Sequence, residues 1–144
     1  MLALQACGAR QNPNKSDAKT HDPKKLDSSN VTMPDGITLS DARGWAKKAS
    51  LVIVDVRAPE KFKAAHIPDA ISFPMSDTID APLTDFLRRY PSGTPLLIYC
   101  ESDECPLAMD FALRLINQCG YADVRYLLGG FDEWEADGAK ALDR

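Results

Sequence analysis

The chain has 144 residues, 44% of them apolar and 26% charged, enough for one globular domain with a real core and little more. Its net charge of −4 hides an asymmetry: residues 1–30 hold five basic and three acidic side chains, leaving 12 basic and 18 acidic ones to the remainder. An acidic domain without a basic stripe makes a poor nucleic-acid binder, and no apolar run is long enough for a membrane-spanning helix.

At the N-terminus, Leu4-Gln5-Ala6-Cys7 resembles the bacterial lipoprotein box, in which a leucine and small residues precede a cysteine that becomes lipidated. The apolar stretch before it, Met1-Leu2-Ala3-Leu4, is shorter than the roughly 7–15-residue core of a signal peptide. Either the start is truncated or the match is fortuitous. Gly8 to Asn30 is rich in Lys, Asp, Asn, Ser and Pro, so it is predicted to be a disordered spacer. The expected division is therefore a signal-like segment and linker over 1–30 and a folded domain over 31–144. A lipid tether at Cys7 implies a periplasmic or cell-envelope location, where a disulfide persists; the alternative is a cytoplasmic protein.

From residue 31 strand and helix signals alternate. Thr38 and Asp41 form a variant capping box ahead of a short helix that turns Ala42, Trp45 and Ala46 inward. Leu51 to Val56 is a β-branched run and reads as a buried strand. Pro59 opens a short helix through Phe62, Ala70 to Phe73 is a brief strand, and Pro82 to Tyr90 is a helix with Arg88 and Arg89 suited to its C-terminal dipole. Leu96 to Tyr99 is apolar and ends at Cys100. Beyond Pro106, residues Ala108, Phe111, Ala112, Leu115, Ile116 and Cys119 form one helical stripe that Gly120 terminates. Val124 to Leu128 is a strand, Gly129-Gly130 a turn, and Phe131 to Ala136 a final helix. Strands separated by helices imply an α/β domain built on a parallel sheet, with its site at the strands' carboxyl ends.

Cys100 lies at one of those ends, where strand becomes helix. Unpaired amides in a helix's first turn stabilise a thiolate or a bound anion, and the thiolate is the nucleophilic form of sulfur. The loop Cys100-Glu101-Ser102-Asp103-Glu104-Cys105 supplies three carboxylates that oppose this and a second thiol. A buried cysteine without chemistry is the bland alternative.

Asp55-Val56-Arg57, Glu60-Lys61-Phe62, His66-Ile67-Pro68-Asp69-Ala70, Tyr99-Cys100, and Gly120-Tyr121 with Leu128-Gly129-Gly130-Phe131-Asp132-Glu133-Trp134 together resemble the rhodanese domain over roughly residues 35–138. The resemblance implies a doubly wound parallel sheet of about five strands with helices on both faces. It also implies that Cys100 is the sulfur-carrying nucleophile, its persulfide wrapped by loop amides. Many active rhodanese loops end in a basic residue five positions after the cysteine; here that place is Cys105, and the acidic loop makes thiosulfate a doubtful donor. A protein persulfide, a small sulfane donor or a basic partner fits better, with a thiol as acceptor and a monomer as the expected state.

Arg57 is the positive charge nominated for substrate binding, against a structural salt bridge to Glu60. Cys105 is a candidate resolving thiol, provided the loop brings the two Cα atoms within about 7 Å. A thiol–disulfide redox protein using Cys100 and Cys105 is thus the main rival to sulfur transfer, and a non-catalytic rhodanese binding module is a third reading. His66 is a structural histidine in the resembling family, linking neighbouring loops, and His21 lies in the spacer. Cys119, Trp45 and Trp134 read as core, and Gly129-Gly130 lacks a dinucleotide-loop pattern. No zinc spacing occurs, so neither metal nor cofactor is expected.

Overall fold

The computed structural model describes residues 31–75 and 80–142; Cys7, His21 and the expected tether lie outside them. The elements follow in the order β1 (Asp35–Ile37), α1 (Leu39–Lys48), β2 (Val52–Asp55), α2 (Pro59–Ala64), β3 (Ile71–Ser72), α3 (Asp80–Arg89), β4 (Leu96–Tyr99), α4 (Leu107–Cys119), β5 (Val124–Leu127) and α5 (Gly130–Ala136). Local chemistry explains several boundaries. The Thr38 hydroxyl accepts from the Asp41 amide at 3.1 Å and caps α1. Pro59 occupies the first turn of α2, where its missing N–H costs nothing. Gly120 ends α4 in the left-handed conformation, φ 80°.

The strands form one parallel sheet in the order β1-β5-β4-β2-β3, an α/β architecture with helices on both faces. Strands β2, β3, β4 and β5 match the sequence reading; β1, the fifth, has no counterpart in it.

Strand pleating sorts the core. In β4, Leu96 and Ile98 join Cys100, Val54, Leu83, Phe86, Phe111 and Leu115 in one cluster, beneath α3 and α4. Leu97 and Tyr99 face the opposite cluster, with Leu39, Ala42, Phe131 and Trp134 of α1 and α5. Strand β4 is fully buried between the two clusters, as a central parallel strand should be. Trp45 and Ala46 pack against the second cluster while only partly buried. Cys119 is buried in the first.

Topology selects the functional end. The chain steps outward from β2 to β3, then returns past β2 to β4 and onward to β5. The strand order therefore reverses between β2 and β4, and the carboxyl ends of those two strands flank the crevice where open α/β sheets place their sites. Arg57 follows the first and Cys100 follows the second.

Candidate functional site

Behind the crevice lies a buried polar cluster. Asp55, with no exposed surface, ends β2 directly opposite Tyr99 in β4. Its carboxylate accepts from Arg57 Nε at 3.0 and 3.1 Å, from Arg57 Nη2 at 2.8 Å, from the Arg57 amide at 2.9 Å and from the Tyr99 hydroxyl at 2.7 Å. Such bidentate pairing, with further donors on the remaining lone pairs, offsets part of the desolvation cost of a buried carboxylate. Arg57 also donates to the Ala65 carbonyl at 2.6 Å, and its guanidinium lies 3.9 Å from the Phe131 ring centre. Burial alone would lower the Arg57 pKa, but the hydrogen bond and charge of Asp55 outweigh it and hold the guanidinium above its ordinary value. Burial, then the Asp55 carboxylate, pushes the Tyr99 phenol well above its usual range.

This geometry corrects the expectation for Arg57. Among the described residues its carboxylate partners are Asp55 and Glu101, not Glu60. It is 4% exposed and does not line the cavity beside Cys100, so its guanidinium is a brace between strand ends rather than a waiting anion receptor.

The loop carboxylates also differ from one another. Glu101 Oε1 lies 3.0 Å from Lys61 Nζ and 3.6 Å from Arg57 Nη1, so two cations neutralise it. No cation stands within ion-pair distance of Asp103 or Glu104 among the described residues, and both are exposed. The opposition to a Cys100 thiolate expected from three carboxylates therefore reduces to two.

Ser102 folds the loop: its carbonyl accepts from the Cys105 amide at 3.2 Å and its hydroxyl from the Glu104 amide at 3.3 Å. This tight turn brings the Cα atoms of Cys100 and Cys105 to 6.2 Å, and a disulfide joins their sulfurs. Cys100 is buried; Cys105 is half-buried, on the solvent side.

Residues that the sequence marks as a turn and a helix start hold the loop from behind. The Phe131 amide donates to the Cys100 carbonyl and the Asp132 amide to the Glu101 carbonyl, each at 2.9 Å. A β-carbon on Gly130 would stand 2.7 Å from the Cys100 carbonyl oxygen, and the residue has φ 62°. Only glycine fits there without displacement. The Gly-Gly pair was visible in the sequence; its contact with residues 30 positions earlier was not.

A cavity of about 200 Å³ opens beside the disulfide. Its lining includes Cys100, Asp103, Glu104 and Cys105 from the loop and Met109, Tyr126 and Leu128 from α4, β5 and the end of β5. Pro106 precedes α4 without a side-chain cap, and Pro106, Ala108 and Met109 line this space, so it is bordered by the first turn of α4, whose amides have no carbonyl within the helix to accept them. His66 stands apart: its Nδ1 is 2.8 Å from the Phe62 carbonyl and its ring stacks on Phe62 at 3.8 Å. Its contact is with its own preceding helix rather than between loops. Trp134 donates to the Lys140 carbonyl at 2.7 Å and packs in the core. Among the described residues no group of three or more His, Cys, Asp or Glu side chains is arranged to hold a metal.

A family model described as the rhodanese-like domain matches residues 38–137. The chain is 30% identical over 100 residues to the thiosulfate sulfurtransferase GlpE of Coxiella burnetii, covering 68% of this chain and 86% of that protein. It is 31% identical over 104 residues to an HTH-type transcriptional regulator of Mycobacterium tuberculosis, covering 72% of this chain but only 43% of the regulator. Among solved structures, the BH2092 protein of Bacillus halodurans matches with a TM-score of 0.60 at 27% identity, over 92% of this chain and 88% of that one. Thiosulfate sulfurtransferase from Pseudomonas aeruginosa matches with a TM-score of 0.57 at 30% identity, over 74% of this chain and 19% of that one.

Proposed function

This chain belongs to the rhodanese-like domain family, and from that premise we propose that it is a sulfurtransferase whose reduced Cys100 carries a sulfane sulfur as a persulfide. The observation that carries the reading is the position of Cys100, at the carboxyl end of central strand β4, beside a cavity bordered by the uncapped start of α4. There a thiolate and a persulfide anion both meet amide donors.

The cycle begins with reduction of the Cys100–Cys105 bond. The Cys100 thiolate attacks the outer sulfur of a persulfide donor, R–S–SH; the donor's S–S bond breaks and R–S⁻ departs. An acceptor thiolate then attacks the outer sulfur of Cys100–S–SH and restores the Cys100 thiolate. GlpE is named for thiosulfate, but the cavity of this chain carries Asp103 and Glu104 and no lining cation. Coulomb repulsion disfavours a dianion there, so a neutral or cationic persulfide, or the persulfide of a basic protein, is the donor class that fits.

The test is intact-mass analysis of the reduced protein after exposure to sulfane donors. One added sulfur, mapped to Cys100 and absent from Cys100→Ser, is the expected result. Full transfer activity in Cys100→Ser would sink the reading.

A further inference from the structure

We infer that this chain has a second reaction available to it, release of sulfide from its own persulfide, with Cys105 as the resolving thiol; the inference rests on Cys100 being the sulfur carrier. The position at which Cys105 stands is five residues beyond Cys100, at the far end of the loop and against the first turn of α4. The loop is folded on Ser102 so that Cys105 Sγ reaches the Cys100 sulfur itself, as the disulfide demonstrates. Which sulfur is attacked decides the product. An outside thiol attacking the outer sulfur of the persulfide carries that sulfur away. Cys105, held against the inner one, does something else.

The Cys105 thiolate attacks Cys100 Sγ, forming the Cys100–Cys105 bond, while the bond between Cys100 Sγ and the outer sulfur breaks. The electron pair leaves with the outer sulfur as hydrosulfide. The two cysteine sulfurs are oxidised by two electrons in all, and the sulfane sulfur is reduced to sulfide. The product is the disulfide present in the structure. Reopening it requires a dithiol reductant. One of its thiolates attacks the more accessible sulfur, Cys105, and expels the Cys100 thiolate beside the α4 amides, a favourable leaving position. The second thiol of the reductant displaces Cys105 from the mixed disulfide. The sum converts a persulfide and a dithiol into a thiol, hydrogen sulfide and the dithiol's intramolecular disulfide, with atoms and electrons balanced.

The surroundings agree with this chemistry. The half-buried Cys105 faces the cavity together with Cys100, so reductant and donor enter by one mouth. Cys100 is clamped through its carbonyl to the Phe131 amide, which leaves the Cys105 end of the loop as the part that moves when the bond opens.

The experiment uses the full chain, reduced and freed of reductant, mixed with one equivalent of cysteamine persulfide. Wild type is expected to release about one sulfide per chain and to lose two hydrogens from the Cys100–Cys105 peptide relative to the reduced protein. Cys105→Ser and, independently, Cys105→Ala are expected to keep one added sulfur on Cys100 and to release no sulfide over the time in which wild type releases it. If wild type holds the added sulfur as stably as both variants, Cys105 is no resolving thiol and the inference fails while the carrier reading stands. If neither wild type nor variants take up sulfur, the carrier reading fails and this inference with it.

Discussion

The α-carbon of Gly130 sits so close to the Cys100 carbonyl that a side chain there would press into it, at 2.7 Å from β-carbon to oxygen. The contact joins the start of the last helix to the peptide of the candidate nucleophile, two segments that share no local sequence signal. It allows the amides of Phe131 and Asp132 to hold the first two carbonyls of the loop.

Gly130→Ala should therefore damage both stability and chemistry. The positive φ of 62° costs an alanine about 1 kcal/mol, and the crowding adds roughly 1–3 kcal/mol. Urea unfolding should show a loss of about 2–4 kcal/mol. Persulfide formation on the folded fraction should slow as well, because the loop must back away from α5. A variant with wild-type midpoint and rate would show that α5 does not set the loop's position.

Tyr99 supplies a pH prediction whose sign can be worked through. Its phenol is pushed up by burial first and by the Asp55 carboxylate second, so the folded protein keeps the proton where the unfolded chain, near pH 10, begins to lose it. The stabilisation is complete below that unfolded value and is lost as pH rises through it toward the folded one. Melting temperature should fall between about pH 9.5 and 11.5 more steeply in wild type than in Tyr99→Phe. The variant should be less stable at neutral pH, by about 1–2 kcal/mol, since Asp55 loses a donor and the Ile67 amide an acceptor. Parallel declines in the two proteins would show that the phenol's environment is unimportant above pH 10.

Asp103 and Glu104 should govern donor choice. The double substitution Asp103→Asn, Glu104→Gln removes the cavity's unpaired negative charge while Glu101 stays neutralised by Lys61 and Arg57. Sulfur uptake from thiosulfate should rise severalfold at low salt, and uptake from cysteamine persulfide should fall. Both changes should shrink at about 1 M salt, where the Debye length is near 3 Å. Unchanged donor preference at low salt would remove the electrostatic argument for a cationic or basic donor.

What could be read before folding was whatever is written locally. The α4 stripe from Ala108 to Cys119 and its Gly120 stop are legible because helical periodicity repeats over three turns. The approach of β4 to Cys100 is legible because a buried parallel strand reads as an unbroken apolar run. β1 escaped notice because it has only three residues, one of them Gly36, whose lack of a side chain is required by Tyr126 and Leu128 of the neighbouring strand and its end. For Arg57 the sequence offers Asp55 and Glu60 at almost equal separation, and only the fold decides between them: the guanidinium forks onto Asp55 and lies against the ring of Phe131, 74 positions away. Sequence spacing leaves the disulfide a question of reach, which the Ser102 turn answers.

The pleat of β4 has an implication for how the domain tolerates change. Leu96, Ile98 and Cys100 look one way and Leu97 and Tyr99 the other. Deleting a single residue from this strand would preserve its greasiness almost perfectly, yet it would deliver the thiol to the Asp55 side and offer the phenol to visiting molecules. A substitution along β4 leaves every other side chain on its own face, whereas a shortened or lengthened copy keeps a hydrophobic strand and forfeits the carrier, a distinction that a deletion scan would make visible.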